Sequence, residues 1–341
     1  MGMPAVRAKH AWVSLPDERL LDVRLCDLSL EFAGSQLEGE VKQLYSELKS
    51  RGVHFRPHIW LSDEWFTPDN VPGIAVPFYL AHPRLRELEQ SQMLEVEGGT
   101  HDWCMRILRH EAGHALDNAH RLHRRSRYRE LFGSYHQPYP DSYKPKPYTK
   151  RFVIHLDMWY AQAHPAEDFA ETFAVWLNPN SRWQEQYANW PAIHKLKYVD
   201  EVMEEVGGQT APVHNRRKAH PMRSLKHTLR EHYERKKKFY CRDNPGLYDR
   251  DLRRIFAEKG GTADAGAFVE SIRDEARMMV SRWTGASQLT IDRTLADMVK
   301  RVRFLRLALC KPREQAKVDV MMMLAVQTMN FVNDGKHRVA L

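Results

Sequence analysis

Residues 110–114 set the strongest requirement on this chain. His110-Glu111-Ala112-Gly113-His114 reads H-E-x-x-H, and side chains four apart stand on one face of an α-helix. Two imidazoles so placed can ligate one zinc ion, with the glutamate beside them in position to handle the proton of the ion's water. A catalytic zinc needs three protein ligands and one open position. The motif therefore demands a further donor from elsewhere in the chain.

The surrounding sequence supports a helix. Thr100 suits an N-cap and Asp102 the first turn. Trp103, Ile107, Leu108, Ala115, Leu116, Ala119 and Leu122 mark a buried stripe. Gly113, which costs about 1 kcal/mol in a helix interior, fits a place where another backbone or an element of the metal site approaches closely. Asp117 can orient a ligand or cap local backbone. His120, His123 and the arginines from Arg121 to Arg129 are expected at the surface.

The missing donor has a candidate downstream. His164-Pro165 starts a helix with proline at its first position, and Asn178-Pro179 ends it. On it Glu167 and Glu171 share one face four residues apart, where like charges repel unless a cation lies nearby. Glu167 can be the third ligand and Glu171 the acceptor for the ring N–H of a zinc histidine. Tyr160, seven residues before Glu167, can stabilise an oxyanion, or can be a tyrosine with its tip buried.

These residues resemble the glutamate-zincin (gluzincin) peptidases, and over about residues 100–180 the catalytic core of anthrax lethal factor. Arg106 to His114 together with His164 to Glu171 also resemble a bacterial family of zinc-binding metallopeptidases, Peptidase_Mx. The resemblance implies His110, His114 and Glu167 as ligands of one Zn2+, Glu111 as general base, Tyr160 as oxyanion partner and Glu171 as support. It implies an α+β, zincin-like catalytic domain, with a small twisted sheet beside the active-site helix and a peptide or protein substrate. In such folds an extended substrate lies along an edge strand. Val71–Leu80, with Pro72 and Pro77, is the candidate edge. Members with an N-terminal cysteine zinc ribbon differ from this chain, whose Cys26, Cys104, Cys241 and Cys310 are scattered. Scattered thiols, no apolar run of membrane length and no evident secretory signal suggest a cytoplasmic protein with no membrane partner.

Charge divides the 341 residues. Positions 211–341 hold 28 Lys+Arg and 15 Asp+Glu, a balance of +13, and positions 1–210 hold 24 and 29, a balance of −5. This suggests a metallopeptidase domain over 1–210 and a basic, mostly helical region over 211–341. The basic region can be a solvated surface or a binding module for nucleic acid or an acidic partner. His227, His232, Tyr233 and Tyr240 among Arg230, Arg235, Lys236, Lys237 and Lys238 would suit phosphates and bases. A zinc protein whose site binds rather than catalyses, with this basic region as its working part, is the alternative to an enzyme.

Other segments are plainer. Leu37–Ser50, Pro83–Glu97 and Ile193–Val206 read as helices and Val53–Ser62 as a strand. Gly133–Lys150, rich in Tyr and Pro, is irregular and suits a functional loop. His214–His220 reads as a linker. Helices are expected near 224–240, 249–259, 264–283 and 289–310, while Val318–Val332 fits either helix or strand.

Overall fold

The computed structural model describes residues 10–140, 143, 146, 149–239, 248–258 and 263–333. Contacts group the chain into an N-terminal unit that runs to Glu234 and a C-terminal unit that starts at Arg235.

In the N-terminal unit a one-turn helix α1 (Asp17–Leu20) precedes α2 (Gln36–Ser50). Strands β1 (His58–Ser62) and β2 (Gly73–Pro77) pair in parallel, Trp60 opposite Ala75. Then follow α3 (Pro83–Met93), α4 (His101–His120), α5 (Ser126–Phe132), α6 (Pro165–Leu177), the one-turn α7 (Trp183–Gln186), α8 (Ile193–Val206) and, as far as Glu234, α9 (Leu229–Phe239). The unit is mostly helical with a small parallel sheet, which agrees with α+β.

Local signals set the two helices that matter most. The Thr100 hydroxyl accepts the Trp103 N–H, and α4 ends where Arg121 takes a left-handed conformation at φ 54°. His164 caps α6 by accepting the Ala166 N–H at Nδ1, ahead of Pro165. Every residue of α6 is buried, so this helix is the centre of the unit. It crosses α4 at Gly113, where an added Cβ would lie 2.9 Å from Ala170 Cα. The absence of a side chain at 113 lets the two backbones meet.

Buried charges lock neighbouring helices to this pair. Arg109 of α4 donates twice to Glu47 of α2, both at 2.8 Å. Lys195 of α8 donates to Asp168 of α6 at 2.6 Å and to the Arg151 carbonyl at 2.9 Å. At the surface Arg125 pairs with Glu205 and Arg127 with Glu201, and Arg127 stays exposed as expected.

The stretch 211–234 belongs with this unit. The Trp60 indole N–H donates to the Ala219 carbonyl and the Ser62 hydroxyl to that of His220. Leu25 and Cys26 donate to the carbonyls of His227 and Leu225, and Leu229 and Arg230 donate back to Val23 and Leu21. The 214–220 stretch, read as a linker, is largely exposed but is hydrogen-bonded to β1 through these carbonyls. His232 and Tyr233 are buried at 5% and 1% exposure, which rules them out as platforms for stacked bases. Tyr240 lies outside the described residues.

The C-terminal unit contains α10 (Asp249–Ile255), a two-residue strand β3 (Ala263–Asp264), α11 (Ala265–Ser271), α12 (Arg273–Thr284), α13 (Gln288–Phe304), β4 (Ala308–Leu309) antiparallel to β3, and α14 (Arg313–Asn333). The stretch that fitted helix or strand is thus helical. Phe268, Leu295, Met298, Val302 and Leu324 are among its core. Among the described residues no helix is long and apolar enough to cross a membrane.

Candidate metal centre

The crossing of α4 and α6 brings the separated ligand candidates together. Glu167 Oε2 lies 3.0 Å from His110 Nε2 and 3.1 Å from His114 Nε2. The two histidine Nε2 atoms are themselves 3.1 Å apart. All three side chains are buried or nearly so. For ligands at about 2.0–2.1 Å from a tetrahedral ion, the donors sit roughly 3.3 Å from each other. The observed spacing therefore fits a zinc ion after a small outward adjustment.

Donor chemistry gives the same answer. His110 Nδ1 lies 2.8 Å from Glu171 Oε1, and the other Glu171 oxygen accepts the Leu156 N–H at 2.8 Å. A carboxylate at Nδ1 holds the proton there and leaves the Nε2 lone pair facing the cluster. Glu171 is itself fully buried. Two imidazole nitrogens and a carboxylate oxygen converging in this way could hold a metal ion.

The electrostatics show the same demand. Burial alone would lower the His110 pKa, but Glu167 and Glu171 outweigh it and raise it to about 10. His114 moves in the same direction, with burial opposed by Glu167. Burial would raise the Glu167 carboxyl, yet His114 and His110 hold it well below the usual carboxylate range. In the absence of a metal, protons supply the positive charge this cluster needs.

Glu111 is buried, and its Oε2 accepts the Thr67 hydroxyl at 2.8 Å. Thr67 lies in the connection between β1 and β2, so this connection runs over the motif. The Tyr160 ring lies 5.6 Å from that of His110. Burial, with Glu167 and Glu111 nearby, raises its phenol far above the ordinary value, so the hydroxyl keeps its proton as a donor.

Sequence reasoning missed a further tyrosine. Tyr139 donates to Glu167 Oε1 at 2.9 Å, and its ring lies flat on that of His164 at 3.8 Å. It belongs to the Tyr/Pro segment, whose composition signalled an irregular loop but gave no sign of which tyrosine would turn inward. Tyr135 of the same segment donates to Asp69 at 2.7 Å and stacks on His123 at 4.3 Å. His123, expected at the surface, is buried, and Asp117 Oδ1 accepts its backbone N–H and faces its Nδ1. Asp117 thus holds the turn after α4.

The expected substrate edge at Val71–Leu80 takes a different form. All of β2 is buried, and on the side away from β1 the Ala75 N–H donates to the Phe66 carbonyl at 2.9 Å. Phe66 therefore occupies that edge at Ala75, and main-chain pairing with a peptide is closed there.

Residues 86–202 match the model of the Peptidase_Mx family, described as "Putative zinc-binding metallo-peptidase". The Peptidase_Mx match spans α4, the Tyr/Pro segment and α6, and so includes His110, Glu111, His114, Tyr139, Tyr160, Glu167 and Glu171, while Thr67 lies before it. No curated protein and no solved structure matches the chain.

Proposed function

We propose that the chain is a zinc-dependent metallopeptidase of glutamate-zincin type, with His110, His114 and Glu167 holding one zinc ion. The observation that carries this reading is the convergence of three donors 3.0–3.1 Å apart, one of them oriented by a buried carboxylate, within the span matched to a zinc-binding peptidase family. A bound zinc supplies Lewis acidity, lowering the pKa of water and polarising the substrate carbonyl.

The chain's own residues do the rest. Glu111, held by Thr67, takes the proton of the attacking water and passes it to the departing amine. Tyr160, protonated at working pH, donates to the oxygen that gains charge as the carbonyl becomes tetrahedral. Glu171 keeps His110 in the tautomer that offers Nε2. Arg109, Lys195 and their partners hold α2, α4, α6 and α8 in register, so none of these groups needs to move far.

The deciding experiment compares wild type with Glu111→Gln on a peptide library or a denatured proteome. The variant should hold zinc as wild type does while its cleavage rate falls by about 10²-fold or more. Cleavage at the wild-type rate would overturn the mechanism.

A further inference from the structure

A second group of donors lies in the N-terminal unit, and none of His110, His114 or Glu167 takes part in it. Asp63, His227 and His232 each offer a ligand atom, and these atoms all lie within 4.8 Å of one another. We propose that they form a second metal site, taking a divalent cation of the zinc class and clamping the residues before and within α9 to the end of β1.

The donors come from two stretches of chain whose backbones are fixed independently. Asp63 directly follows β1, and the Ser62 hydroxyl, fully buried, lies 3.1 Å from Asp63 Oδ1. His227 and His232 flank the first turn of α9. There the Thr228 hydroxyl accepts the Glu231 N–H at 3.1 Å while Glu231 Oε2 accepts the Thr228 N–H at 2.8 Å. This reciprocal cap fixes the turn. Hydrogen bonds between 21–26 and 225–230 dock the same turn on the body of the unit.

The rings are positioned too. His232 packs edge-on to Phe78 at 5.3 Å and to Tyr233 at 5.1 Å, which sets its plane. The His227 ring lies nearly parallel to it, 18° off, with centroids 6.2 Å apart. Two imidazoles and one carboxylate are a borderline donor set, suited to zinc and its neighbours rather than to magnesium or calcium, which take oxygen ligands. With three protein ligands, water or another group would complete the shell.

The placement gives the site a consequence. Asp63 opens the connection that carries Thr67 to Glu111 and Asp69 to Tyr135. A cation at Asp63 would tie the root of that connection to α9, so it would add heat stability to the N-terminal unit.

The test is metal content of the full chain, measured by elemental analysis after loading with zinc and dialysis. Wild type should hold two zinc ions per chain, Asp63→Asn and His227→Gln one each, and His114→Ala one. The double variant His114→Ala/Asp63→Asn should hold none. In the His114→Ala background added zinc should raise the melting temperature, and Asp63→Asn should abolish that rise. Wild-type zinc content in both Asp63→Asn and His227→Gln would overturn the site, as would a single wild-type ion that His114→Ala removes. His227→Gln, at a half-exposed position, keeps the question open to test if Asp63→Asn fails to fold. If Asp63→Asn loses one ion while His114→Ala loses none, the second site stands and the proposed peptidase centre falls.

Discussion

The Tyr139 hydroxyl donates to Glu167 Oε1 at 2.9 Å, while Oε2 of the same carboxylate faces His110 and His114. One oxygen of the candidate ligand is thus held by protein and the other is left for a cation. Burial and the Glu167 charge both push the Tyr139 phenol up, so it remains a donor across the ordinary pH range. Partners of this kind orient a ligand, and their loss typically costs 10–100-fold in metal affinity. Tyr139→Phe should weaken zinc binding about 10-fold in competition with a chromogenic chelator. Although its hydroxyl end is sheltered against Glu167, Tyr139 as a whole is 47% exposed, so the melting temperature of the metal-free protein should hardly change. An unchanged affinity would show that the hydrogen bond does not support the metal.

Gly113 should resist even the smallest substitution. In a solvated helix Gly→Ala gains about 1 kcal/mol. At this crossing the new Cβ would sit 2.9 Å from Ala170 Cα and 3.2 Å from its carbonyl oxygen, and backbone cannot rotate away. Overpacking of this kind costs about 1–3 kcal/mol. Gly113→Ala should therefore lose stability in urea titrations. It should also lose zinc affinity, because separating α4 from α6 moves Glu167 away from the histidines. A variant as stable as wild type would mean that the crossing is loose.

Zinc uptake should release protons. The pKa of His110 in the folded, metal-free chain is raised to about 10, against about 6.5 for an unperturbed histidine. A raised histidine contributes stability that is complete below pH about 6.5 and is lost as pH climbs toward 10. At pH 7.5 the imidazole is therefore charged, and a cation must displace its proton. Calorimetry in buffers of different ionisation enthalpy should show at least one proton released per zinc at pH 7.5, falling as pH approaches 10. Binding heats independent of buffer would contradict this.

Sequence alone reached the spacing of the site but not its surroundings. His110, His114, Glu167 and Glu171 were legible because i, i+4 pairs on helices have only one face to share. Gly113 was legible because a glycine inside a strong helical stripe calls for a close neighbour. Tyr139 and Thr67 were not, since irregular segments carry no periodicity that fixes which side chains turn inward. His123 was misread as a surface residue because its burial depends on Asp117 and on Tyr135, which folds back from the irregular segment after α5. Positions 211–234 looked like part of a basic region since charge was the only guide. Their attachment rests on main-chain hydrogen bonds to residues 21–26 and on bonds from Trp60 and Ser62, which composition does not record.

Asp168, next to Glu167 on α6, is the test of how this helix is anchored. Burial raises its carboxyl to about 7, with Lys195 opposing the rise from 2.6 Å. For an acid raised in this way the charged form is disfavoured by folding. Its contribution is most favourable below pH about 4 and declines as pH rises through 7. Lys195→Met removes the opposing ammonium and fills similar space, leaving burial to act alone. At pH 4, where Asp168 is neutral in both proteins, the variant should lose little beyond the bond to the Arg151 carbonyl and the ammonium's contacts with the Phe132 and Phe152 rings. At pH 8 it must either bury an unpaired carboxylate or keep a proton against the bulk, and the loss should reach about 3–5 kcal/mol. The gap between wild type and Lys195→Met in denaturant titrations should therefore widen steadily from pH 4 to pH 8. The double variant Lys195→Met/Asp168→Asn should close most of it, because an amide leaves no charge to bury. A gap that is flat with pH would show that Lys195 stabilises the unit through Phe132 and Phe152, over whose rings its Nζ lies at 5.6 and 4.3 Å, rather than through its pairing with Asp168.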